Sequence, residues 1–103
     1  MASGILGSVS PLANTDTTVY TVPSGKLAVL TINACNTSAV AINLRVSLSS
    51  ADTPVAGEYI EYNVTVPSGG VIERAGVVLN ATKKVVVQAT SVGLNINVWG
   101  VEE

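Results

Sequence analysis

Seven carboxylates hold most of the acid–base chemistry open to this chain: Asp16, Asp52, Glu58, Glu61, Glu73, Glu102 and Glu103. Hydrolysing a glycosidic bond takes two of them facing each other across a cleft. Glu58 and Glu61 are three residues apart, so on one strand they point to opposite faces. Glu102 and Glu103 are expected in solvent. There is no histidine. That removes Ser-His-Asp and Cys-His arrangements, the usual base at neutral pH and most zinc sites. The one cysteine, Cys35, permits no internal disulfide and reads as a small buried hydrophobe in a reducing cytosol. Calcium takes oxygen ligands only. Asn14, Asp16 and Asp52 come nearest to such a set, but Asn-Thr-Asp-Thr more often makes turn hydrogen bonds. Gly69-Gly70 sits in a turn with no helix after it, unlike a phosphate loop. The expectation is a protein without enzymatic activity, metal or cofactor.

Sugar binding needs an exposed aromatic platform. The aromatics are Tyr20, Tyr59, Tyr62 and Trp99. Strand alternation predicts Tyr62 on an inner face and Tyr59 and Trp99 on outer faces. Trp99 is therefore a candidate sugar platform, but the stronger reading is an aromatic anchor at a protein interface.

The elements that must carry these residues are strands. Val40, Ile42, Leu44, Val46 and Leu48 alternate with Ala41, Asn43, Arg45 and Ser47, the period of a half-buried strand. Ile60, Tyr62, Val64 and Val66 repeat that pattern, as do Leu94, Ile96 and Val98. Lys26 to Asn36 and Lys83 to Thr90 are apolar on both faces in part, as central strands are. Thr17 to Val22 and Val77 to Asn80 add two more, with a further short strand at Val71 to Arg74. Ser49 to Gly57 reads as the longest internal loop. Val22-Pro23-Ser24-Gly25 and Val66-Pro67-Ser68-Gly69 each place Pro second and Gly fourth, a type I turn signature. Thr-Val-Pro-Ser-Gly occurs at 21–25 and again at 65–69. It is read as two similar turns after two strands rather than as a duplication. Together these signals predict an all-β fold: one β-sandwich of Greek-key or jelly-roll type with about seven or eight short antiparallel strands.

Composition bears on partners. The 103 residues suit one domain, with residues 17–103 as the sandwich and 1–16 as an N-terminal arm or an edge segment. Hydrophobic residues make up 48% of the chain and charged residues 12%, about half the usual charged share. A small domain so poor in charge is expected to cover part of its surface with other protein, plausibly in a dimer or trimer. The net charge of −2 and the lack of a basic stripe argue against nucleic acid and anionic membranes. Met1 to Ala13 has neither a basic start nor a continuous apolar stretch, so no secretory signal is expected there. The sequons at Asn36, Asn63 and Asn80 carry little meaning without one. Ile5, Leu6, Val9 and Leu12 are the apolar anchors of the N-terminal segment. With Trp99 they form the expected interface set.

Val19-Tyr20-Thr21-Val22-Pro23-Ser24-Gly25-Lys26, running into Thr31-Ile32-Asn33-Ala34-Cys35-Asn36-Thr37-Ser38, resembles small virion proteins of tailed bacteriophages, including cyanophages. Glu58-Tyr59-Ile60-Glu61-Tyr62 and Gly70-Val71-Ile72-Glu73-Arg74 extend the resemblance over most of the chain. It implies a sandwich packed on the outside of a phage particle assembled in the host cytoplasm. The role it implies is a capsid decoration (cement) protein contacting the major capsid protein or other virion proteins. A tail, baseplate or fibre-associated protein and a carbohydrate-binding module are the alternatives.

Overall fold

A computed structural model describes residues 3–103. Eight strands follow in order: β1 (Ser3–Val9), β2 (Thr17–Thr21), β3 (Ala28–Asn36), β4 (Ile42–Ser49), β5 (Tyr59–Val66), β6 (Val71–Leu79), β7 (Lys84–Ala89) and β8 (Leu94–Glu102). No helix occurs among the described residues. Two antiparallel four-stranded sheets pack into a sandwich, one ordered β1-β8-β3-β6 (sheet A) and the other β2-β7-β4-β5 (sheet B). The pairing is nested: β4 with β5 at the centre of the chain, then β3 with β6, β2 with β7 and β1 with β8.

Alternation decides the core. β3 turns Ala28, Leu30, Ile32 and Ala34 inward, and β8 adds Leu94, Ile96 and Val98. From sheet B they meet Ile42, Leu44 and Val46 of β4 and Val85, Val87 and Ala89 of β7. Burying each Val, Leu or Ile of this set stabilises the fold by roughly 1.5–3 kcal/mol, and each Ala less. β3, β4, β7 and β8 are the central strands, where both neighbours satisfy the backbone. Tyr20 links the sheets by donating its hydroxyl proton to Glu102. Burial and then that carboxylate raise the Tyr20 ionisation above its usual range.

Four details differ from the sequence expectations. Val71 to Leu79 is one strand rather than two, bulged where Gly76 takes φ 71°. The pattern breaks there because the bulge inserts residues that no partner opposes. Tyr62 faces outward and is 58% exposed. Asn63, at φ 55°, forms a second bulge that moves the β5 register between Leu44 and Val46 and turns Tyr62 away from the core. Val40 lies in the turn before β4 and is exposed. The two Pro-Ser-Gly turns close one residue later than expected. Lys26 N–H donates to Pro23 O and Gly70 N–H to Pro67 O, so Pro is first and Gly third. Gly25 and Gly69 sit at φ 76° and 71°, a third-position conformation that favours glycine. Both turns carry the chain from sheet B to sheet A, so the repeated pentapeptide serves one structural task twice.

Asn36, at the far end of β3 from the 23–26 turn, anchors the end of the sandwich that holds the 67–70 turn. Its buried amide donates to Val40 O (2.8 Å) and Val66 O (2.9 Å). Its carbonyl accepts from Ser38 N–H and the Ser38 hydroxyl. The Asn36 sequon is therefore enclosed by the fold.

Candidate functional site

The outer face of sheet A carries the largest grouping of exposed apolar side chains that the strand register brings together. Val29 pairs with Val101 on one side and Val78 on the other, giving a row of three valines across β8, β3 and β6. All three are exposed. Leu27 precedes this row and exchanges backbone hydrogen bonds with Glu103. The next row holds Thr31, its partner Trp99 and, across β1, Ile5. Ile5 is 64% exposed and Trp99 is half-buried. Beyond Trp99 the face becomes more polar, with Glu73, Asn33, Asn97 and Ser8 in one row. The next row holds exposed Val71, Cys35 and Asn95. The surface thus runs from aliphatic, through one indole, to a mixed end in which polar groups predominate.

Of the interface set read from the sequence, Ile5 and Trp99 come together. Leu6 and Val9 do not join them. Leu6 is the extra residue of a bulge between Ile5 and Gly7, and both it and Val9 pack on the domain's own core. Part of their apolar surface is thus used internally, and both remain partly exposed. Leu12 is exposed but lies beyond β1, one residue before the Ala13–Ala89 bridge to sheet B. The segment up to Val9 is an edge strand of sheet A, and Met1 and Ala2 of the expected arm lie outside the described residues. Val29, Val78, Val101 and Leu27 are not in the interface set read from the sequence. The signal for Val29 and Val78 lies in the sequence, because each stands beside a core residue of its own strand, Leu30 and Leu79.

Five of the seven carboxylates, Asp16, Asp52, Glu58, Glu61 and Glu102, are held in hydrogen bonds or ion pairs, while Glu73 and Glu103 are exposed. Asp52 accepts from the Thr18 hydroxyl and lies 3.6 Å from Lys84 Nζ. The Thr18 bond, then the Lys84 charge, holds its carboxyl below the usual range. Asp16 accepts from Gln88. Glu58 gathers the β4–β5 loop, accepting from Val55 N–H, the Ser49 hydroxyl and Ser50 N–H. Those bonds, led by Val55 N–H, hold it below the usual range as well. The loop lies over the outer side of sheet B, where Thr18 pairs with the buried Val86. Glu61 pairs with Arg74 at 2.7 Å. Cys35 is half-buried on the outer side of sheet A, not in the core as expected. Among the described residues no three of Cys, Asp and Glu gather as a metal site.

A shallow depression of about 230 Å³ lies beside the amide rows, lined by Ser8, Val9, Ser10, Asn95, Ile96 and Asn97. No family model, curated protein or solved structure matches this chain.

Proposed function

We propose that the chain is a non-catalytic structural protein of a phage virion, a capsid decoration protein that docks on the major capsid shell through the outer face of sheet A. The observation that carries this reading is the row Val101–Val29–Val78 continued by Trp99 and Ile5. Exposed apolar groups held in register on a rigid sheet suit a protein partner, and Trp is enriched where interfaces derive their energy. The composition agrees, since a chain with 12% charged residues has little else to keep such a face in water. The resemblance of the Tyr20–Lys26 and Asn33–Ser38 segments to small virion proteins supplies the particle.

The nested strand order supports reading the sandwich as a jelly roll, an architecture used in capsid and lectin domains alike. That analogy favours no single function by itself. The apolar character of the face favours protein over sugar. The charge-poor composition favours self-association as well, as a closed dimer or trimer through surface outside the docking face.

Electron microscopy of purified particles carrying a tagged copy tests the proposal. Density on the outer shell is the expected result. Density on the tail or baseplate alone would reject the head assignment, and absence from purified particles would reject the virion assignment.

A further inference from the structure

The outer face of sheet B holds a second arrangement, different in chemistry. Arg45 of β4 lies with its guanidinium carbon 4.3 Å from the centre of the Tyr62 ring. Tyr59 braces Tyr62 edge to face, with ring centres 5.0 Å apart and planes at 81°. Arg45 Nε donates to Asn63 Oδ1 at 2.8 Å. That bond fixes the fork of the guanidinium, and Asn63 makes it from a left-handed backbone conformation, φ 55°, that costs energy for any residue but glycine. Among the described residues Arg45 has no carboxylate partner, and its two terminal nitrogens have no hydrogen-bond acceptor. The adjacent acids are engaged elsewhere, Glu61 by Arg74 and Asp16 by Gln88.

We propose that this corner binds the carboxylate of an acidic sugar, a uronate or a sialate. A forked guanidinium held by an aromatic face and an amide is pre-organised for two parallel bonds to a carboxylate. The surroundings select the rest of the ligand. Gln88 flanks Arg45 across β7, and the Asn43–Thr65 pair lies two residues along the same face. Gln88 donates to Asp16 and the Thr65 hydroxyl to Asn43 Oδ1, which leaves the Gln88 carbonyl and the Asn43 amide nitrogen for sugar hydroxyls. Tyr62, 58% exposed, offers apolar surface to the C–H side of a pyranose. A docked protein would call for apolar neighbours such as those on sheet A, and they are absent from this corner. The site lies on the opposite sheet from the docking face, so either reading can fail without the other.

NMR titration of the full chain with glucuronate and with N-acetylneuraminate tests the site, with glucose as neutral control and N-acetylglutamate as a carboxylate without a sugar ring. Saturable shifts confined to residues 43–45, 59–65 and 88 are expected for at least one acidic sugar. Glucose and N-acetylglutamate should bind at least about tenfold more weakly. Arg45→Lys retains the charge but loses the fork, and should weaken binding about tenfold or more while the remaining spectrum is preserved. Tyr62→Leu should weaken it too. No response to either acidic sugar, equal response to glucose, or undiminished binding by Arg45→Lys would overturn the site. Equal affinity for N-acetylglutamate would overturn the sugar assignment.

Discussion

Ile5 and Trp99 stand directly opposite each other across the β1–β8 ladder, both on the outer side of sheet A. They are 94 positions apart in a chain of 103 residues, and only the nested pairing brings them together. Their neighbours in the adjoining row, Val101 and Val29, extend the contact toward β6. The apolar face therefore depends on the edge strand β1 being seated on β8, its one ladder partner.

On the proposed docking reading, Trp99→Ser and Ile5→Ser should each weaken attachment to phage particles while sparing the fold. A central aromatic anchor is worth about 2 kcal/mol or more, or roughly thirtyfold in affinity. Co-sedimentation of purified chain with particles lacking it measures the loss. A comparable change at Leu12, which lies off this face, should have little effect. Loss at Leu12 with none at Trp99 would place the contact elsewhere.

Asn36→Ala should be among the most destabilising single changes. It removes the buried amide bond to Val66 O and leaves Ser38 N–H without its acceptor, while Val40 O keeps the Ser38 hydroxyl. Unsatisfied buried groups cost about 1–3 kcal/mol each, so a total of about 3 kcal/mol is expected. In a domain of this size that lowers the melting temperature by roughly 10–20 °C. Asn36→Asp should be worse, since it removes both donors and buries a charge. Thermal denaturation followed by circular dichroism measures both.

Much of this fold was legible because four strands alternate without interruption on their inner faces. β3 and β8 are the clearest, and the outward position of Trp99 follows directly from Ile96 and Val98 being inward. Legibility failed at the bulges. The pattern Ile60-Tyr62-Val64 looks continuous, yet the extra residue at Asn63 turns Tyr62 outward. Asparagine tolerates φ > 0 better than most residues, so its position inside a strand was the available signal. Ile5 and Leu6 are adjacent and apolar, which hides the fact that one faces solvent and the other the core. The Arg45–Tyr62 corner was invisible for the same reason: simple alternation would put the two side chains on opposite faces.

Acid should release the β4–β5 loop before the sandwich unfolds. Glu58 and Asp52 both ionise below their ordinary values of 4.5 and 3.8 in the folded chain. Between the folded and ordinary values the unfolded chain holds more protons, so the contribution of each group declines as the pH falls. It is fully present above the ordinary value and is lost as the pH drops through the folded one. Hydrogen exchange at the Ser50 and Val55 amides, compared from about pH 6 down to about pH 3, should show protection lost at the acid end. Core amides of β3 and β4 should stay protected over that range. Glu58→Gln, which cannot ionise, should flatten the pH dependence; an unaltered profile would show that Glu58 does not hold the loop.

Gly7→Ala should unseat β1 without unfolding the domain. A Cβ at Gly7 would stand 2.4 Å from the carbonyl oxygen of Val19, a backbone atom that cannot swing aside. The glycine lets the edge of sheet A approach the edge of sheet B and closes the side of the sandwich there. With alanine, either β1 or β2 must shift, at a cost of about 1–3 kcal/mol. Each is an edge strand with one neighbour. β1 sends only the partly buried Leu6 and Val9 to the core, whereas β2 sends Val19 and the buried Tyr20, so β1 is the more weakly anchored. Amide exchange should therefore quicken along Ser3–Val9 while β3 and β7 keep their protection. Ser10→Ala, exposed just past the strand, serves as the control. Because β1 carries Ile5 to Trp99, the same variant should bind particles less well with Trp99 itself intact. Retained binding with a mobile β1 would mean that the valine row alone makes the contact.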